Sequence, residues 1–453
     1  MKKRIFGTDG IRGTANLYPM TSEVALALGR SIAYQARKRF KRPKIVIGKD
    51  TRLSCYMIEA ALISGVCSMG ADVLLTGPIP TPGIAYLTVD MRCDAGIMIT
   101  ASHNSFEDNG IKVFGPDGFK FTDSQEDEIE QHILGHYSTD NLISTEDNSY
   151  PKEELVGKAF KIEDARGRYI AHLKSIFPKS MNLVGTKIAV DCANGAAYKI
   201  APTVFEELGA NVMVIGNKPN GTNINEECGA IYPNLLSNIV TSNSCDVGIA
   251  LDGDADRLVV VDENGIMVDG DILLGKLLED SCFKEAVVTT MSNAGLGNYA
   301  SSLGCKLHRT KVGDRYVIDK MREYGIKFGG ENSGHIIYMD YATTGDGIVA
   351  ALKLLEMMKS RQIKASELSG EFSLYPQHII NLPVEKKMPL KEMTEMQEVI
   401  QLAYDHLNGE GRILVRYSGT EMKLRIMVES DDAKLAKQLA ECIKTAAITS
   451  LQD

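Results

Sequence analysis

Three stretches of this chain pass through the same order of elements, and that repetition limits its fold more than any other feature. Each stretch opens on a short apolar run: KIVIGKD at 44–50, KIAVDCANG at 187–195 and EAVVTTMSN at 285–293. A helix-period segment follows, then a strand led by glycine: GADVLLTGPIP at 70–80, GANVMVIGNKP at 209–219 and GCKLHRTKVGD at 304–314. A third strand then ends in a polar loop: DAGIMITASHN at 94–104, DVGIALDGDADR at 246–257 and IKFGGENSGH at 326–335. Apolar strands alternating with helical segments predict α/β domains with mixed, largely parallel sheets. Ligands gather at the carboxyl ends of strands in such sheets, so the repeat offers three loops, one per domain, to a central cleft.

The pattern changes near residue 368. There LKEMTEMQEVIQLAYDHLNG and KLAKQLAECIKTAAITSL read as helices flanking ILVRYSGTEMKLRIMVES, which reads as two strands joined by a polar turn. That is a smaller α+β domain. The expected division is 1–155, 156–255, 256–368 and 369–453, with the acidic, Ser/Asn-rich stretch 138–153 as a surface linker between the first two units. At 453 residues the chain is long enough for several such domains.

The formal net charge of −9 argues against a general binder of nucleic acid or anionic membrane. The basic run RKRFKRPK at 37–44 falls where a helix should end, which favours cations, and it lacks interleaved aromatics. The start MKKRIFGTDG has no apolar segment after its basic residues, and no run is long enough to span a bilayer. Nine scattered cysteines without C-x-x-C spacing predict reduced thiols and a cytoplasmic setting, with no disulfide framework or structural zinc.

The loops carry the chemistry. In LDGDADR, Asp252, Asp254 and Asp256 alternate with small residues, so an extended loop turns all three carboxylates to one side. Such crowded like charges repel or take up protons unless a cation neutralises them, and hard oxygen ligands suit Mg²⁺. Arg257 follows, placed to balance the carboxylates or hold a phosphate. In TASHNSFEDNGIK, Ser102 follows a strand, where its hydroxyl can stand exposed on a rigid support, with His103, Asn104 and Lys112 nearby. A serine there is more often a cap or turn residue, and a lone hydroxyl is a poor nucleophile. The distant acidic triplet raises its standing, because a phosphorylated Ser102 would offer that metal an anionic oxygen. GGENSGH sets Glu331, Ser333 and His335 among glycines, which lets the backbone approach a polyhydroxylated ligand. RYSGTEMKLR sets Arg416, Ser418, Thr420 and Arg425 around Gly419 as a cradle for an anion.

In this order, FGTDGIRG, TASHN, DGDADR, KVGDRYV, GGENSGH and RYSGTE resemble the α-D-phosphohexomutase superfamily across essentially the whole chain. The resemblance implies three similar α/β domains plus a smaller α+β domain around a central cleft. It implies Ser102 as the phosphorylated serine, with Asp252, Asp254 and Asp256 holding Mg²⁺ together with it. Lys112 and His335 match acid/base and active-site positions, and Arg12 lies in the first motif. Glu331 and Ser333 match the sugar-reading loop; Arg416, Ser418, Gly419, Thr420 and Arg425 match the distal phosphate site.

The implied reaction interconverts glucosamine 6-phosphate and glucosamine 1-phosphate through phospho-Ser102 and a 1,6-bisphosphate, which also primes the serine. A mannose or glucose phosphate is the alternative substrate, and the resemblance is compatible with a homodimer, on which the sequence itself is silent. Ser105, Asn332, Tyr417 and Met422 depart from the usual motifs without removing a charged or nucleophilic group. Two other classes fit parts of the pattern: a phosphohydrolase with an aspartyl nucleophile, and a non-catalytic sugar-phosphate sensor.

Overall fold

The structure, a computed structural model, describes residues 5–7, 9–136, 151–370, 372–409, 411–418 and 422–452. Most of the expected 138–153 linker therefore lies outside the described residues, as do Gly419 and Thr420. The chain divides into two compact units. One comprises Met1–Thr290 with Leu307–Leu368; the other comprises Met291–Lys306 with Ser369–Asp453.

The first sheet is built from β1 (Ile11–Thr14), β2 (Lys44–Lys49), β3 (Asp72–Pro78), β4 (Ala95–Ile99), β5 (Asp108–Phe114) and β6 (Ala159–Lys161), in the order β1-β5-β4-β2-β3-β6. The second has β7 (Lys187–Asp191), β8 (Asn211–Ile215), β9 (Val247–Leu251), β10 (Leu258–Asp262) and β11 (Met267–Val268), in the order β11-β10-β9-β7-β8. The third has β12 (Glu285–Thr289), β13 (Lys306–Thr310), β14 (Phe328–Gly330) and β15 (Ile336–Tyr338), in the order β13-β12-β14-β15.

One motif recurs in all three. The third strand of each repeat lies beside the first, and the first beside the second: β4-β2-β3, β9-β7-β8 and β14-β12-β13. The pairs β2·β3, β2·β4, β7·β8, β7·β9 and β12·β14 are parallel. Each third strand then pairs antiparallel with the next strand in the chain: β4 with β5, β9 with β10, β14 with β15. Central strands such as VGIAL of β9 are buried at every position, which explains a continuous apolar run instead of alternation. The loops 100–107, 252–257 and 331–335 therefore occupy one topological position in three sheets, between a buried strand and its antiparallel return.

Some helix starts carry side-chain caps. Thr21 accepts from Val24 N–H at the start of Ser22–Arg37, and Asp346 accepts from Ile348 and Val349 N–H at the start of Gly347–Arg361. The basic run after Arg37 does fall between that helix and β2.

The C-terminal unit has a three-stranded antiparallel sheet of β16 (Gln377–Pro383), β17 (Gly411–Tyr417) and β18 (Lys423–Ser430), in the order β16-β18-β17. Leu424, Ile426 and Val428 turn one way into a core shared with the helices Thr394–Leu407 and Ala433–Gln452. By strand alternation Arg425 and Met427 face the other way. Asn293 joins the helix Ala294–Ser302 to this unit: its Nδ2 donates to Tyr375 O at 2.9 Å, and its Oδ1 accepts from Tyr375 N–H at 2.8 Å.

Candidate active site

Ser102 sits in a turn just beyond β4 with φ of 53°, in the left-handed region. A non-glycine residue there carries a steric cost of about 1–2 kcal/mol and must be held by its surroundings. Its N–H donates to Thr100 Oγ1 at 2.9 Å. The expectation of an exposed hydroxyl is corrected: Ser102 is 2% exposed. Its cover is the backbone of the 252–257 loop, packed so closely that a Cβ on Gly253 would stand 2.5 Å from Ser102 O. Ser102 Oγ donates to Asp252 Oδ2 at 2.6 Å. With that proton committed, His103 Nδ1, at 3.2 Å from Oγ, is left as the donor. Burial, Arg257 and Arg12 push the His103 pKa down to about 4, so its ring is neutral near pH 7.

The three carboxylates converge as their spacing implied. Asp252, Asp254 and Asp256 are buried, and each offers an oxygen within 4.8 Å of the others. The loop turns at Ala255, at φ 56°, where Ala255 N–H donates to Asp252 O at 3.0 Å and Gly347 N–H donates to Ala255 O at 3.0 Å. Burial, with Asp256 and Asp254 beside it, drives the Asp252 pKa well above its usual value. Asp256 goes the other way: burial would raise it, but Lys112, His335 and Arg257 hold it well below. Asp254 Oδ1 is buried without a hydrogen bond. Asp256 Oδ1 is a second buried oxygen without a hydrogen bond, and three hard carboxylates with Ser102 Oγ alongside fit a divalent cation.

Lys112, on β5, enters the same cluster. Its fully buried Nζ lies 3.0 Å from Asp254 Oδ2, 3.2 Å from Asp256 Oδ2 and 3.5 Å from Asp9 Oδ2. Burial favours the neutral amine, yet Asp254, Asp9 and Asp256 outweigh it and keep the ammonium. His335 Nδ1 stands 3.7 Å from Asp256 Oδ1, while its Nε2 accepts from Gly345 N–H at 3.1 Å. Arg12 Nη2 donates to Asp9 Oδ2 at 3.1 Å.

The third loop divides. Glu331 is buried, and its Oε1 accepts from Gly313 N–H at 2.9 Å, so it braces the KVGDRYV turn. Ser333 is exposed.

In the C-terminal unit Arg416 lies directly across β17·β18 from Arg425, which pairs on its other side with Asn381. Two like charges opposite each other cost energy in a sheet unless an anion joins them. Together with Met291, Ile379, Leu414 and Met427 these residues line a cavity of about 250 Å³. Ser418 is buried; its N–H donates to Lys423 O at 2.9 Å, and its carbonyl accepts from Lys387 Nζ at 2.7 Å.

Several participants escape a motif search. Lys120 Nζ bridges Asp9 and Asp314 at 2.5 Å each. Thr81 clamps Asp254 twice, through its hydroxyl to Oδ2 and its N–H to the carbonyl. Arg52 and Asn225 reach the Ser102 turn. Asp9 and Asp314 stand inside quoted motifs, FGTDGIRG and KVGDRYV, but the other four carry no local signal.

Family models described as phosphoglucomutase/phosphomannomutase domains match in chain order: α/β/α domain I at 3–139, domain II at 167–265, domain III at 269–375 and the C-terminal domain at 379–446. The chain belongs to this family. Within it, the chain is 50% identical over 436 residues to the phosphoglucosamine mutase of Geobacter sp. strain M21, covering 95% of this chain and 94% of that one. It is 51% identical over 440 residues to the phosphoglucosamine mutase of Pelobacter propionicus, covering 95% of each.

Among solved structures, a phosphoglucomutase/phosphomannomutase family protein from Burkholderia thailandensis shares the fold with a TM-score of 0.79 at 21% identity, covering 98% of this chain and 97% of that one. The Aspergillus fumigatus N-acetylphosphoglucosamine mutase, solved with GlcNAc-6P and magnesium, gives 0.66 at 17% identity, covering 99% and 96%. Both support the four-domain phosphohexomutase fold. No helix among the described residues is long and apolar enough to cross a membrane.

Proposed function

We propose that this phosphohexomutase interconverts glucosamine 6-phosphate and glucosamine 1-phosphate, with Ser102 as the phosphoryl carrier. The observation that carries the reading is the 2.6 Å contact between Ser102 Oγ and Asp252 in a buried triad of carboxylates. The amino sugar is supported by identity of about half to phosphoglucosamine mutases over nearly full length.

The chemistry balances as two mirror-image transfers. The free hydroxyl oxygen of the sugar phosphate attacks phosphorus on Ser102, and the bond from phosphorus to Oγ breaks. One proton leaves the sugar hydroxyl and one reaches Oγ. Lys112, kept as an ammonium by Asp254, Asp9 and Asp256, is the proposed relay, giving a proton to Oγ and regaining one from the sugar. The resulting 1,6-bisphosphate turns over and returns its other phosphoryl group to Ser102.

Asp252, Asp254 and Asp256 would hold Mg²⁺, which when bound offsets charge on the transferring phosphoryl oxygens. Arg416 and Arg425 are the proposed dock for the phosphate that does not react, in both orientations. Ser418 is proposed to join that cradle, as are Gly419 and Thr420, which lie outside the described residues, while Ser333, Glu331 and His335 are proposed to read the sugar and its surroundings. Arg12 is proposed to contribute charge through Asp9, to which it donates and which also meets Lys112.

Turnover of glucosamine, mannose and glucose 6-phosphates, each primed with a sugar 1,6-bisphosphate and Mg²⁺, tests the reading. Preference for an unaminated sugar would move the enzyme to the phosphomannomutase/phosphoglucomutase side. Phosphate release without isomerisation, surviving Ser102→Ala, would assign it instead to the aspartyl phosphohydrolases.

A further inference from the structure

We propose that Asn225 and Arg52 are positioning residues that lock the Ser102 turn against the carboxylate loop from two different domains. The proposal rests on the reading of Ser102 as the phosphoryl carrier.

Arg52 follows β2 and is wholly buried. Its Nε pairs with Asp50 Oδ2 at 2.9 Å, which leaves the rest of the guanidinium for the turn. Nη2 donates to Ser102 O at 2.9 Å and to Asn104 O at 2.8 Å, and Nη1 donates to Asp108 O at 3.1 Å and to Ser105 O. A planar fork of donors thus collects carbonyls from the whole connection between β4 and β5.

Asn225 comes from the second domain and meets the same two carbonyls. Its Nδ2 donates to Ser102 O at 2.9 Å and to Asn104 O at 2.9 Å. A carbonyl oxygen has two lone pairs, so both acceptors are filled, one bond from each domain. Swinging the Ser102 peptide would break bonds to Arg52 and Asn225 together. Asn225 is itself fixed: it is buried, its φ is 59°, and its N–H donates to Ala193 O at 2.9 Å. Its second-domain neighbour Gly253 packs on Ser102 O from the metal loop. The register between nucleophile and carboxylates therefore depends on an amide outside both motifs.

The test uses the full-length chain with Asn225→Gly, which tolerates the left-handed φ, and the isosteric Asn225→Asp, which trades the donor for an oxygen. In Asn225→Gly each carbonyl keeps its Arg52 bond, so no buried acceptor is stripped and melting should stay near wild type. Misplacing reacting atoms by an ångström costs up to about 100-fold in rate, so we expect kcat for glucosamine 6-phosphate to fall about 10-fold or more in both variants, with KM within about 2-fold. Phosphoryl uptake on Ser102 from a sugar 1,6-bisphosphate, followed by intact mass, should slow in parallel.

Unchanged kcat in both variants, beside an inactive Ser102→Ala, overturns this proposal alone. So does a loss of activity matched by loss of folded protein. Full turnover by Ser102→Ala would fell the phosphoserine reading and this proposal with it.

Discussion

Ser102 and Asp252, 150 residues apart in sequence, meet through a 2.6 Å hydrogen bond in which the serine is the donor. Replacing Ser102 with alanine should end phosphoryl uptake and cut kcat at least about 1,000-fold, in the range seen when a nucleophile is removed. The fold should survive with a loss of about 1–3 kcal/mol, the cost of leaving a buried acceptor unpaired. Intact mass after bisphosphate treatment, together with chemical denaturation, measures both. Phosphoryl uptake by the alanine variant would refute the assignment.

The crowding of Asp252, Asp254 and Asp256 predicts a stabilising cation. Mg²⁺ at 100 times its Kd should raise stability by about 2.7 kcal/mol, and chelation should reverse the gain. Asp254→Asn should weaken the response, because the orphaned Asp254 Oδ1 is one of the oxygens on offer. Thermal melts with and without EDTA read this without reference to turnover, and insensitivity to Mg²⁺ would exclude the site.

Gly253 leaves no room for a side chain, since a Cβ would meet Ser102 O at 2.5 Å and Ile224 Cδ1 at 2.8 Å. Gly253→Ala should force the two loops apart at a cost of about 1–3 kcal/mol, as overpacking does. The same substitution should lower kcat more than KM. Wild-type kinetics in this variant would show that the loops have slack.

Asp346 sets a pH dependence beside the carboxylate loop, where Asp256 adds to its upward shift and the neighbouring Gly347 N–H donates to Ala255 O. Burial raises its pKa to about 6, against the pull of Tyr169 O–H and the Val349 and Ile348 N–H groups. The folded state then binds more protons than the unfolded one between the ordinary carboxyl value of 3.8 and about 6. Stability from this group is present below that window and falls as pH rises through it, by roughly 3 kcal/mol in all. Asp346→Asn retains an acceptor for the helix cap and should flatten that part of the curve. Denaturation at pH 4 and pH 7 gives the comparison; equal slopes in the two proteins would contradict it.

Arg416→Ala should raise KM at least about 10-fold in both directions of the reaction, the worth of one charge-assisted phosphate contact. The β17·β18 pairing, with Arg425 across from this position, does not depend on the side chain, so stability should stay near wild type. Initial rates from each sugar phosphate, with a melt of the same sample, measure both effects. An unchanged KM would remove the cradle.

Local patterns carried a large part of this molecule. The apolar runs at 44–50, 187–195 and 285–293 each became the first strand of a repeat, and the acidic alternation at 252–256 did bring its carboxylates together. The antiparallel returns β5, β10 and β15 had no reading of their own: DNGIKVF of β5 is interrupted by polar residues, while LVVVD of β10 and IIY of β15 are apolar runs too short to carry a period. Burial of Ser102 was also missed, since its cover arrives from Gly253 and Asp252. Arg52, Thr81 and Asn225 act through several long-range bonds each, mostly to backbone carbonyls, and such bonds impose no spacing on nearby residues.

Because the loops 100–107, 252–257 and 331–335 each bridge one strand and its return, all three tips can be edited without reordering a sheet. An ancestral duplication would leave the three tips free to specialise, one drifting in length or residue type while its siblings keep their jobs. The architecture thus separates what must stay constant, the strand order, from what selection can rewrite. New specificity in such a lineage would come from exchanging a tip of five to eight residues, with the frame inherited whole.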